Sequence, residues 1–136
     1  ETGLPAERIS LIPGNHDAYV RDTHQAKAFE SILAPLLPEH VDWPRVERRG
    51  ELLVIGVNSA VPTPWFMAFG RVRRPQRDAI SAALREHADA LIKLVLVHHP
   101  PVQGDGRPDA WVRRNRDGKA LLEVCQQGGA KTEGCQ

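Results

Sequence analysis

Six consecutive residues near the middle of the chain, Leu52-Leu53-Val54-Ile55-Gly56-Val57, are almost wholly apolar. A half-buried strand alternates apolar and polar side chains, whereas a strand covered on both faces has no polar face to keep. The run therefore predicts a central strand, and with it a layered fold. Arg45–Arg49 lies just upstream across Gly50, so the two segments Arg45–Arg49 and Glu51–Val57 read as a hairpin.

Two further apolar runs fit the same plan. Arg8–Ile12 reads as a short buried strand stopped by Pro13-Gly14, and Leu91–Val97 reads as a second long buried strand. Helical patterns alternate with them. Asp22-Thr23-His24-Gln25 has the form of an N-cap with a glutamine three residues later. Ala26, Phe29, Ile32 and Leu33 follow at helical spacing until Pro35 and Pro38 end the helix. Val41–Pro44 is a loop. Pro75 opens a second helix with a stripe of Ile80, Ala83, Leu84 and His87. A third helix runs from Asp117, its expected cap, to Gln127, where Gly128-Gly129 stops it. Asn58–Gly70 and Pro100–Asp109 are loops, and residues 129–136 show no strand pattern and read as an irregular tail. This order is that of a mixed α/β domain over residues 1–128.

Composition narrows the function classes. A chain of 136 residues holds one core, and a net charge of +1 gives no electrostatic reason to expect a nucleic-acid or membrane partner. Nothing approaches the roughly 18 consecutive apolar residues of a membrane span. Two cysteines, Cys125 and Cys135, are too few for a disulfide framework and match no zinc spacing; they read as cytoplasmic thiols.

Chemistry concentrates in two places. Gly14-Asn15-His16-Asp17 follows the first apolar run directly, and Leu94-Val95-Leu96-Val97 ends on His98-His99-Pro100-Pro101. Asn15 after a glycine suits a turn, but its amide oxygen also suits a divalent metal. His16 can meet a phosphate and deliver a proton, with Asp17 either orienting the ring or capping nearby backbone N–H groups. His98 and His99 end a strand, where α/β sheets place their ligands, and consecutive strand residues point to opposite faces, so the two do not share one metal. Trp65, Phe66, Met67 and Phe69 form either a wall facing a substrate or a packed loop. The arginine runs Arg71–Arg74 and Arg113–Arg116 read as solvated faces, balanced by acidic residues elsewhere.

The two boxes together resemble the Gly-Asn-His-Asp and strand-histidine motifs of the calcineurin-like metallophosphoesterases. The resemblance implies a four-layer α/β/β/α sandwich with mixed sheets, present here in partial form. It implies two divalent ions per intact site, of Mn, Fe or Zn, and hydrolysis of a phosphomonoester or phosphodiester. The loop and the plain His-His-Pro-Pro box look closer to the cyclic-nucleotide and small-diester branch. It selects Asn15 and His98 as metal ligands, His16 and Asp17 as catalytic residues, and leaves His99 to line the pocket or pack on Pro100. Residues 1–13 contain neither Asp nor His, so the family's Asp-x-His and Gly-Asp boxes do not occur upstream of Gly14, and no histidine follows His99 to form its Gly-His-x-His box. The matching segment is thus expected to be the middle of such a domain, either as part of an enzyme or as a non-catalytic segment that binds a partner.

Overall fold

The computed structural model describes residues 3–17, 28–64, 66–103, 106–107 and 110–134. Its centre is one mixed sheet of four strands: β1 (Arg45–Arg49), β2 (Leu52–Val57), β3 (Ile92–Val97) and β4 (Lys131–Gly134), in that spatial order. β1 runs antiparallel to β2, with Arg49 opposite Leu52, and the chain reverses between them at Gly50, whose φ of 60° favours glycine. β2, β3 and β4 are parallel, with Val57 opposite Val97 and Val97 opposite Gly134. The helices are α1 (Ala28–Ile32), α2 (Arg74–Glu86) and α3 (Gly118–Gln127). The fold class is α/β, as the sequence predicts. One sheet is present among the described residues, whereas the four-layer arrangement implied by the resemblance needs two.

β2 is central and buried on both faces, which explains its uninterrupted apolar run. Leu53, Ile55 and Val57 join Val95 and Val97 of β3, Ile80, Ala83 and Leu84 of α2, and Leu121 and Cys125 of α3 in one core. Fully burying such an aliphatic side chain stabilises by about 1.5–3 kcal/mol. On the opposite face, a Cβ placed on Gly56 would meet Ile12 Cγ2 at 3.1 Å and Trp43 at 3.6 Å. The segment that leads to the Gly-Asn-His-Asp box therefore lies across the sheet from α2 and α3. No described helix is long and apolar enough to cross a membrane.

Several expectations are corrected. Arg8–Ile12 is not a strand: Ala6–Arg8 is a turn of 3-10 helix, and Ile9–Ile12 joins none of the described strands. Side chains hold it to β1 instead, through Ser10 Oγ–H donating to Glu47 at 2.7 Å and Arg49 donating to the Arg8 carbonyl at 3.3 Å. An apolar run can cover a sheet without belonging to one. The expected irregular tail forms β4, because Gly128 and Gly129, the latter at φ 68°, turn the chain from α3 back beside β3. Backbone pairing at a sheet edge does not require an apolar alternation.

Asp117 makes no side-chain cap for α3; its carboxylate faces Arg71 at 3.6 Å and Arg77 at 3.8 Å. Ile32, expected in the buried stripe of the first helix, is 76% exposed, and a further 3-10 turn over Ala34–Leu36 incorporates Pro35. The expected cap at Asp22–Gln25 lies outside the described residues.

Candidate functional site

β2 and β3 end side by side, so the residues after them meet at the carboxyl edge of the sheet. This edge is where parallel α/β sheets place ligands. Past Val97 the chain has no ladder partner among the described residues, and the two histidines that follow diverge. The rings of His98 and His99 stand edge to face, with centroids 4.9 Å apart and planes at 88°.

His98 turns toward the turn over Asn15–Asp17, a single turn of 3-10 helix. Its Nε2 lies 2.7 Å from Asn15 Oδ1. An amide oxygen only accepts, so the Nε2–H of His98 donates in this contact and fixes that tautomer. Gly14 closes the other side: a Cβ there would sit 3.3 Å from the Cε1 of the His98 ring. Asn15 and His98 are thus brought together as expected. His16 is exposed on the same turn. The side chain of Asp17 lies outside the described part, so the expected dyad with His16 does too.

His99 goes the other way and is buried, with 4% of its surface exposed. Its ring packs on Gly70, where a Cβ would come 2.7 Å from the His99 Cβ. Ser59 Oγ lies 2.8 Å from Nδ1 and accepts the backbone N–H of His99 at 3.3 Å. Ser59 is fully buried, and Nδ1 is the acceptor available to its hydroxyl proton. Ser59 therefore donates to Nδ1, and the ring carries its hydrogen on Nε2, which is buried without a partner in hydrogen-bonding geometry. Burial is the main reason that the His99 pKa is pushed down to about 4. The charge of His98 acts in the same direction, and the Ala68 carbonyl acts against it. His99 is neutral at physiological pH, and its ring is buried against Gly70 and Ser59.

Two participants carry no motif. Ser59 follows β2, and Asn115, 5% exposed, donates from Nδ2 to the His99 carbonyl at 3.1 Å while its Oδ1 accepts the Asp117 N–H at 3.0 Å. Serine and asparagine in loops are too common to single out, and their partners are far off in sequence. Asn115 also bridges to Gly70, joining the loop after β2 to the segment before α3. On that platform the Arg116 guanidinium stacks 3.4 Å from the Phe69 ring centroid and 5.3 Å from that of Trp111. The arginine run is therefore not wholly a solvated face. Phe66 is exposed, and Trp65 lies outside the described residues.

The donor set has the right chemistry for a metal of intermediate hardness: a neutral amide oxygen and an imidazole nitrogen. Ligand atoms of one ion stand roughly 3 Å apart, close to the 2.7 Å between Oδ1 and Nε2. Binding would require His98 to move its ring hydrogen to Nδ1. Among the described residues no group of three or more His, Cys, Asp or Glu gathers to hold a metal ion. No protein-family model matches the chain, and no curated protein matches it.

Proposed function

We propose that the chain carries part of a metal-dependent phosphoesterase site of the calcineurin-like kind, within a four-layer α/β/β/α domain working in the cytoplasm. The substrate class is a small phosphomonoester or phosphodiester, with cyclic nucleotides and small diesters favoured. The reading includes no nucleic-acid or membrane partner. One observation carries it: two donors of the types that the resemblance selects, Asn15 Oδ1 and His98 Nε2, converge to 2.7 Å from positions 83 residues apart.

Divalent ions, two in an intact site and of Mn, Fe or Zn, supply a strong nucleophile and neutralise phosphoryl charge. Asn15 and His98 hold one of them. His16, exposed on the same turn, would bring a proton to the leaving oxygen, with Asp17 orienting it. Metal analysis of the manganese-loaded protein, with hydrolysis of a chromogenic phosphodiester, tests this. Bound metal that disappears in both Asn15→Ala and His98→Ala supports the reading, and metal unaffected by either substitution refutes it.

A second reading follows from the two donors being only a pair. Two ligands hold an ion weakly, so the chain could instead be a non-catalytic segment that binds a partner. About two ions per chain favour the enzyme; no metal and no turnover favour the binding segment.

A further inference from the structure

The ladder between β2 and β3 ends at Val57 and Val97, yet His98, one residue beyond, has its imidazole set against Asn15. No described strand pairs with the chain beyond that point, and buried backbone groups need partners of some kind. Both main-chain polar groups of the next residue are held by side chains. Ser59 Oγ accepts the His99 N–H at 3.3 Å, and Asn115 Nδ2 donates to the His99 carbonyl at 3.1 Å. The first of these bonds lies on the peptide that joins His98 to His99, so it sets the direction in which the His98 side chain leaves the backbone. Ser59 also engages Nδ1 of the His99 ring, whose edge-to-face contact limits the His98 ring from one side, while Gly14 limits it from the other.

We propose that Ser59, His99 and Asn115 form a buried clamp of positioning residues that fixes the end of β3 and so aims His98 at Asn15. The three come from the loop after β2, the end of β3 and the approach to α3, and they are 0%, 4% and 5% exposed. The catalytic consequence of the clamp rests on the phosphoesterase reading; the geometric consequence does not.

The test uses the whole chain, first without metal. Long-range proton–nitrogen NMR of the His98 ring reads its tautomer, and a single Nε2–H form is expected in the wild type. Ser59→Ala and the bulkier Ser59→Cys, which weakens both bonds while filling the site, should each convert this to averaged tautomers. His99→Asn, whose Oδ1 can accept from Ser59, should retain the wild-type signal better than His99→Leu. In a second arm, Mn²⁺ affinity should fall by roughly 10- to 100-fold in Ser59→Ala. A His98 spectrum unchanged in a folded Ser59 variant overturns the clamp. Wild-type protein that binds no Mn²⁺ counts against the phosphoesterase reading, and the metal-free spectra still decide the clamp.

Discussion

Asn15 Oδ1 and His98 Nε2 stand 2.7 Å apart across 83 positions of sequence. Removing either side of such a contact should affect ligand binding far more than folding, because one hydrogen bond contributes only about 0.5–1.5 kcal/mol net. Asn15→Ala and His98→Ala are expected to lower bound manganese and any turnover together. His16→Ala should leave the metal in place and lower the rate by about 10²–10⁴-fold, the usual worth of a positioned proton donor. Metal analysis beside steady-state kinetics distinguishes the two patterns, and unchanged turnover in His16→Ala would remove its role.

Gly70 offers a second handle on the same region. A methyl group there would lie 2.7 Å from the His99 Cβ and against the ring itself, too close for the ring to stay in place. Gly70→Ala is expected to destabilise by about 1–3 kcal/mol, the range for overpacking a filled site. It should also disturb the His99–Ser59 bond. Urea unfolding gives the first quantity and the His99 ring signals the second; a variant as stable as wild type with unmoved signals would show that the site is roomier than described.

Stability should decline at both ends of the pH scale, for two different buried groups. The His99 pKa is lowered from 6.5 to about 4, chiefly by burial, so the unfolded chain takes up the proton first. Its contribution, on the order of 3 kcal/mol, is present above pH 6.5 and is lost as pH falls toward 4. The Cys125 thiol is pushed up from 9.0 to about 11 by burial. The unfolded thiol ionises first, so stability falls as pH rises from 9 toward 11. Unfolding of the metal-free protein across pH should show an acid-side decline that weakens in His99→Asn. Cys125 should also react with thiol reagents only at the rate of unfolding, since it is buried and free.

How much of this was legible in the sequence depends on which residues had to do two jobs. Leu52–Val57 is buried on both sides, and Ile92–Val97 starts exposed but ends on the buried Val95 and Val97, so their apolar runs announce strands, and Pro75 with Ile80 and Leu84 announces α2. Ile9–Ile12 misled because covering a sheet face demands the same apolar side chains as joining a sheet. β4 was hidden because an edge strand is held by backbone bonds to β3, which any residue but proline can make. At the site, Asn15 and His98 were paired only through the family resemblance. Ser59 and Asn115 had no signal, since a hydroxyl or amide becomes informative only when burial and a distant partner are known.

The placement of the Gly-Asn-His-Asp box rests on one more close approach. Ile12 lies over Gly56 near the C-terminal end of β2, with 3.1 Å from its Cγ2 to the position a Cβ would take. Gly56 also lies beneath Trp43, so a larger side chain there has nowhere to go except into the Ile12 segment. Gly56→Val should lift residues 9–14 off the sheet, costing about 1–3 kcal/mol from overpacking and drawing Asn15 away from His98. Gly50→Ala makes the matching control: its φ of 60° makes an alanine strained, but nothing lies within 4 Å of the added carbon. It should therefore lose a comparable amount of stability through the backbone alone. His98 ring NMR in both variants is the deciding measurement. An averaged His98 tautomer in Gly56→Val beside an unchanged one in Gly50→Ala would tie the site to this packing, and identical His98 signals in both would sever that link.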